Sequence, residues 1–285
     1  MRVEVRRARQ SDKGPLMAFI KDVWGGHDYI PRVWDRWLGE KDARMFVVLA
    51  DGRQVGMSRV RFLSDGSAWF EGARVHPGYR GMGLATALGE AGVDYARRKG
   101  ASVFRLTSNS RNRQAHRQIA RIGFEESHRI SVYELPDGLK PRAAKDARPA
   151  GPGDAERVLE AVEGSRELAL SSGLLWDSFT AVRLTRESLA MMISGGHVYR
   201  LGGAVAVSKL GGEGTESWNQ VCFLTGPSED AVRLVLHIFA QKRVGRVDWC
   251  MAYIPQGSEL ISGLRGAGLK RSFSLILFER QADNG

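Results

Sequence analysis

The run Val75-His76-Pro77-Gly78-Tyr79-Arg80-Gly81-Met82-Gly83-Leu84-Ala85 decides how the rest of this 285-residue chain is read. Before it lies a strand-like stretch, Ala68-Trp69-Phe70-Glu71-Gly72-Ala73-Arg74-Val75. After it, apolar residues at Leu84, Leu88, Ala91 and Tyr95 recur at the spacing of one helix face, to about Arg98. A strand, a glycine-rich turn and a helix aim several backbone N–H groups at one point, an arrangement suited to a phosphate. Glycine lets the backbone approach the anion closely. Arg80 adds a forked cation at the same point. The plain alternative is a tight turn with no ligand. No Gly-Lys-Ser/Thr follows, so this is not a nucleoside-triphosphate loop. No parallel strand precedes it at the N-terminus, as a dinucleotide fingerprint requires.

Outward from this run, the chain repeats itself. A polar cap and helix follow a short strand at Val5–Asp12 and again at Ala147–Asp154. Two apolar runs flank Asp51-Gly52, and two more flank Gly202-Gly203, both hairpin signals. Each half closes on Gly123-Phe124 or Gly268-Leu269 before a final strand, Ile130–Leu135 or Phe273–Phe278. The expected fold class is therefore α+β, a tandem pair of related domains. The expected domains are 1–135 and 147–285, joined by a Pro-, Gly- and charge-rich linker at 136–146. The second half has no Arg-Gly-x-Gly; its counterpart, Thr225-Gly226-Pro227-Ser228-Glu229-Asp230, places two acids where a pyrophosphate would lie. Ser228 reads there as an ordinary N-cap. The second domain is expected to be non-catalytic.

The net charge of +10 is unevenly spread. Residues 1–150 hold 28 Lys and Arg against 17 Asp and Glu, whereas residues 151–285 hold 14 against 15. A basic half points to a polyanionic partner. Arg113, Arg117 and Arg121 line one helix face, which serves either as a solvated surface or to attract phosphates. Stacking aromatics are not interleaved with these charges, so nucleic acid is the weaker alternative. No apolar run reaches the roughly 18 residues of a membrane span. The Met1–Arg7 segment lacks a signal-peptide core. Cys222 and Cys250 make neither a disulfide framework nor zinc spacing and read as buried thiols, so the expectation is cytoplasm and no metal.

Arg80-Gly81-Met82-Gly83-Leu84-Ala85, within Val-x-Pro-x-Tyr-Arg-Gly-x-Gly-x-Ala, resembles the pyrophosphate loop of the GNAT superfamily of N-acetyltransferases. Asn112, Ala115, Gly123 and Phe124 resemble its second signature. The resemblance covers 3–135 by motif and 147–280 by layout only, and it implies in each domain a mixed, mostly antiparallel twisted sheet flanked by helices. Trp24-Gly25-Gly26-His27-Asp28-Tyr29-Ile30-Pro31, followed by Trp37-Leu38 and by Glu71-Gly72-Ala73-Arg74-Val75, is more narrowly similar to the histidine N-acetyltransferase group.

The resemblance implies acetyl-CoA as co-substrate and a small primary amine, such as an amino acid, as acceptor. It implies direct attack in a ternary complex, with no nucleophilic cysteine in the first half. Backbone groups at Ala73 and Val75 would hold the pantetheine arm, with Arg80, Gly81, Met82, Gly83, Leu84 and Ala85 on the pyrophosphate. Asn109 and Asn112 would also contact the donor, their alternative being helix capping. Glu71 stands where the family places a general base; its alternative is an ion pair with an arginine. By strand alternation Glu71 shares a face with Ala73 and Val75, opposite Arg74. Asp28, Tyr29 and Arg74 are acceptor-binding candidates, and one of Arg59, Arg61 and Arg74 is expected to clamp a substrate carboxylate. The family's general-acid tyrosine is replaced by Ile119, and His116 on the same helix reads as a surface residue. A CoA-binding regulatory module without turnover, a nucleic-acid-associated protein, a protein-tail acetyltransferase and a homodimer remain alternatives.

Overall fold

Apolar runs at 43–50, 53–62 and 68–75 pair as a meander because Asp51 and Gly52 adopt φ of +47° and +80°, which closes a two-residue hairpin. In the computed structural model, which describes residues 1–213, 216–241 and 249–282, the chain forms two units. The first comprises Met1–Ser108, Asn112–Glu126 and Phe278–Gly285. The second comprises Asn109–Arg111 and Ser127–Leu277.

The first unit runs β1 (Val3–Arg7), α1 (Lys13–Ile20), α2 (Ile30–Gly39), β2 (Ala43–Ala50), β3 (Arg53–Phe62), β4 (Ala68–Val75), α3 (Leu84–Arg98), β5 (Val103–Asn109) and α4 (Arg113–Arg121). Strand order is β1-β2-β3-β4-β5, antiparallel except for the parallel pair β4 and β5. One face of the sheet is covered by α1 and α2, whose Leu16, Ile20, Ile30, Val33, Trp34 and Trp37 pack on Met45, Val47, Leu49 and Met57. On another side, α3 comes so close to β3 and β4 that a Cβ on Gly92 would lie 2.7 Å from Phe70 and 3.0 Å from Val60.

The second unit contains most of β6 (Glu125–Glu134), then β7 (Arg148–Pro149), α5 (Ala155–Glu163), α6 (Arg166–Leu170), β8 (Leu174–Asp177), β9 (Thr180–Arg183), α7 (Arg186–Ser194), β10 (Val198–Leu201), β11 (Ala204–Glu213), β12 (Glu216–Thr225), α8 (Ser228–Ala240), β13 (Trp249–Pro255), α9 (Leu260–Gly266) and β14 (Lys270–Gln281). Its order is β14-β6-β13-β12-β11-β10-β7, with β12 and β13 parallel, and β8 and β9 form a separate hairpin. The core gathers Leu234, Val235 and Ile238 of α8, Ala252 and Ile254 of β13, and Leu260 and Leu264 of α9. The fold is α+β and tandem, as expected.

The expected boundaries differ from these units. Ser127–Glu134, assigned above to the first domain, pairs instead with β13, Met251↔Glu134 through Pro255↔Ile130. The end of β14, read as the second domain's own strand, lies in the first unit, where the Arg105 guanidinium bonds Glu279 at 2.6 Å and the Ala282 N–H donates to the Ser102 carbonyl at 2.8 Å. Pairing across the sheet, rather than order along the chain, sets the division. The supposed linker is part of the second unit. Leu139 packs beside Gly268, the Ala144 N–H donates to His237 Nδ1 at 3.2 Å, and Arg233 pairs with Asp146 at 2.8 Å. Among the described residues no helix is long and apolar enough to cross a membrane.

Candidate functional site

The connection from β4 to α3 spans eight residues, 76–83. Pro77–Tyr79 form a single 3-10 turn fixed by the Gly78 N–H, which donates to His76 Nδ1 at 3.1 Å. Gly81 and Gly83 then take φ of +80° and +77°, values that side chains other than glycine rarely adopt. No side chain caps α3 at Gly83, so its first-turn N–H groups lack a side-chain acceptor there. A Cβ on either glycine would meet nothing within 4 Å, which leaves room above the turn. Arg80, Gly81, Met82 and Gly83 are exposed, Leu84 is buried as the anchor of α3, and Ala85 is half-buried. Uncapped N–H groups, a helix dipole and a neighbouring guanidinium make an anion cradle. The Thr86 hydroxyl accepts from Gln118 Nε2 at 2.5 Å, which ties the start of α3 to α4.

Beside this cradle β4 and β5 part. They pair only at Ala68↔Phe104 and Trp69↔Arg105, leaving Phe70–Val75 unpaired on that side. Ala73 is exposed and Val75 half-buried along the opening. The Asn109 side chain accepts from the Arg111 N–H at 3.0 Å, and that of Asn112 from the Ala115 N–H at 3.1 Å. Their side-chain oxygens therefore serve the turn and the cap of α4, the alternative weighed above.

Glu71 is the centre of an ion-pair cluster. Its Oε1 accepts from Arg59 and, at 3.2 Å, from Arg61 Nε. Arg59 also pairs with Glu40, just past α2, and lies 4.5 Å over the Trp37 ring. Arg59 is only 2% exposed whereas Glu71 is 19% exposed, so the arginine is a buried strut and the carboxylate keeps partial contact with solvent. Burial, partly offset by Glu71 and Glu40, lowers the Arg59 pKa. Arg59 and Arg61 are thus engaged by Glu71 rather than standing as separate carboxylate clamps. Arg74 pairs with the buried Asp28 through Nε at 2.6 Å and lies 5.7 Å over the Tyr29 ring. Asp28 Oδ1 also accepts from the Ile30 N–H at 2.9 Å and so starts α2. Tyr29 packs edge-on against Trp37 at 5.7 Å, and burial pushes its phenol up to about 12.

Strand alternation fails at one place. Met57↔Arg74 and Arg59↔Glu71 are consecutive pairs in the β3–β4 ladder, so β4 carries one extra residue between them. Gly72, at φ +69°, makes this bulge, and a Cβ there would lie 2.8 Å from Trp37. The bulge returns Arg74 to the side of Glu71, and both act on Tyr29. The expectation that Arg74 points away from Glu71 is corrected. Glycine inside a strand-like run is the sequence mark of such a bulge, and it was available. Glu40 and the strut role of Arg59 carried no local signal.

The remaining placements are mixed. Ile119 is buried, as an apolar residue should be. His116 is half-buried, with its ring against Phe278 at 5.3 Å. Arg113, Arg117 and Arg121 are exposed. Cys222 is buried and Cys250 half-buried, and burial pushes the Cys250 thiol up to about 11. Ser228 is not a cap: Pro227 holds that place, and Ser228 Oγ packs against Gly263. The Trp24 side chain lies outside the described residues.

Residues 10–124 match the model of the acetyltransferase (GNAT) family. The histidine N-acetyltransferase of Xenopus tropicalis is 31% identical over 108 residues, 36% of this chain and 33% of that protein. That of Oreochromis niloticus is 32% identical over 82 residues, 28% of this chain and 24% of that protein. The chain thus spans about a third or less of the length of these relatives. A GCN5-related N-acetyltransferase from Sphaerobacter thermophilus superposes with a TM-score of 0.65 at 17% identity, over 98% of this chain and 95% of that one. A tandem GNAT protein from the clavulanic acid biosynthesis pathway superposes with a TM-score of 0.57 at 12% identity, over the full length of both chains. These two likenesses show the fold.

Proposed function

Because residues 10–124 belong to the acetyltransferase (GNAT) family, we propose that the first unit transfers acetyl from acetyl-CoA to the primary amine of a small molecule, with an amino acid as the favoured acceptor. The observation that carries this reading is the uncapped, glycine-lined start of α3 beside the parting of β4 and β5. The residues present fit a pyrophosphate: N–H donors from Gly81 to Ala85, the Arg80 guanidinium, and open space above both glycines. When bound, acetyl-CoA supplies the activated thioester.

When acetyl-CoA is bound, the neutral amine nitrogen would bond to the thioester carbonyl carbon as the C–S bond breaks, and the departing thiolate would take its proton from solvent. The amine must shed a proton, and Glu71, directly or through water, is the group placed to hold it. Its hold on Arg59 and Arg61 fixes that carboxylate in place. Glu40 and Glu71 favour a cationic amine at the mouth, and the Asp28–Arg74 pair with Tyr29 forms the wall that selects the acceptor.

Turnover is tested by measuring CoA thiol released from acetyl-CoA over a panel of amines that includes histidine, other amino acids and an aminoglycoside. Release with at least one amino acid is expected; Arg80→Ala then raises KM for acetyl-CoA, and Glu71→Gln lowers kcat and alters its pH dependence. An unchanged pH profile removes Glu71 as base. A second reading is favoured by the ion pairing of Glu71 and by the buried Ile119: a CoA-binding regulatory module. Tight CoA binding without thiol release from any amine would support it.

A further inference from the structure

The second unit repeats the architecture of the first, including a parallel strand pair that parts. β12 and β13 pair from Trp218↔Trp249 to Val221↔Ala252 and then separate. As in β4, a bulge interrupts the neighbouring ladder, between Val207↔Phe223 and Ser208↔Val221. The groove that the first unit leaves open is filled here by the chain itself.

Where eight residues join β4 to α3, only Gly226 and Pro227 join β12 to α8. The start of α8 is covered by the Gly202-Gly203 turn: the Gly203 N–H donates to Asp230 Oδ2 at 3.0 Å, and a Cβ on Gly226 would lie 2.6 Å from Ala204 Cα. An acid in the first turn already answers the helix dipole. Between the parted strands sits α6, whose buried Glu167 accepts from the Thr225 hydroxyl at the end of β12 (2.8 Å) and from the Ser258 hydroxyl beyond β13 (2.9 Å). Arg166 fastens the same helix to Glu259 at 2.5 Å.

We infer that the second unit's counterpart of the donor groove is a self-occupied site, with Glu167 bridging the strands and Asp230 closing the phosphate position, so that each chain takes up one CoA. This rests on the proposed function only for the one CoA assigned to the first unit; the closure of the second unit stands without it. The architecture is kept because α6 supplies internally the contacts that would otherwise hold the parted strands only through a ligand.

The test uses the full chain and CoA itself. Equilibrium dialysis at saturation should give one CoA per chain, and hydrogen exchange should show CoA slowing amides in 80–86 while 226–231 are unchanged. Two CoA per chain, or protection at 226–231, overturns the inference. Absence of any CoA binding sinks the first-unit reading and leaves the closure upheld. The bridge is tested without CoA. Glu167→Ala strands two hydroxyls and should lower Tm by about 4–8 °C, with the near-isosteric Thr225→Val lowering it by roughly half as much. An unchanged Tm in both variants removes Glu167 as the bridge.

Discussion

At the scale of single residues, Arg59 organises the charged cluster around Glu71. It is the buried guanidinium that two carboxylates share, and its stacking on Trp37 couples them to α2. Losing one partner of a buried ion pair costs about 3–5 kcal/mol because a charge is left without compensation. Glu40 and Glu71 keep some solvent contact, which screens the loss, so Arg59→Ala is expected to cost about 2–3 kcal/mol in urea unfolding followed by tryptophan fluorescence. Arg59→Lys should recover less than half, since one ammonium lacks the planar fork that reaches both acids. Full recovery by lysine would show that charge alone, not the bridging geometry, is what matters. Glu71 itself was legible in the sequence, because an acid in the strand before a glycine turn stands out. Its partners were not, because ladder register and a bulge at Gly72, rather than spacing along the chain, bring Arg59, Arg61 and Arg74 around it.

At the scale of elements, the internal repeat is written in chemistry as well as layout. Arg6 grips Asp12 with two bonds of 2.8 and 2.7 Å, and Arg148 grips Asp154 with two of 2.6 and 2.8 Å. In both, the aspartate also accepts from the backbone N–H three residues earlier, Arg9 at 2.7 Å and Gly151 at 3.0 Å, so one side chain joins strand, turn and helix. Burial pushes the Asp12 carboxyl up, but Arg6, Arg9 and Gln54 outweigh it and hold it below the usual range. In Asp154, Arg148 leads the same depression. Unfolded Asp12 titrates near 4 and folded Asp12 lower, so its stabilisation is complete above about pH 4 and fades as pH falls through the folded value. Asp12→Asn should therefore be markedly less stable than the parent at pH 7, with the gap narrowing below about pH 4. A gap independent of pH from 7 to 3 would mean the charge of Asp12 contributes nothing. These elements were readable because caps and hairpin turns are local. The short strand before a capped helix and the Asp51-Gly52 hairpin needed no knowledge of distant partners.

At the scale of the whole molecule, the charge split and the strand division have different origins. The basic excess belongs to the half with the open glycine turn at the start of α3, and the balanced half is the one where Asp230 accepts from the Gly203 N–H at the start of α8. Strand membership, by contrast, was illegible, because a near-continuous apolar run such as Phe273–Phe278 carries no alternation that singles out one neighbouring strand. Nothing local says that the chain's last residues serve the first unit. There Phe278 packs on His116, Glu279 pairs with the buried Arg105, and Arg280 donates to the Ile122 carbonyl at 2.8 Å. Arg105 would keep Asp65 at 2.6 Å but lose Glu279, while the end of α4 would lose a cap. A chain ending at Leu277 is therefore expected to unfold its first unit earlier, by about 2–3 kcal/mol, although the deletion lies more than 150 residues beyond β5 in sequence. Hydrogen exchange locates the effect: amides of β5 and α4 should lose protection while those of β10 and β11 keep theirs. The complementary fragment 1–135 lacks the same strand and should be unstable alone, and adding a peptide of residues 270–282 should restore protection to β5. Loss confined to the second unit would mean that the first unit's sheet closes without its borrowed strand, and that the division follows chain order after all.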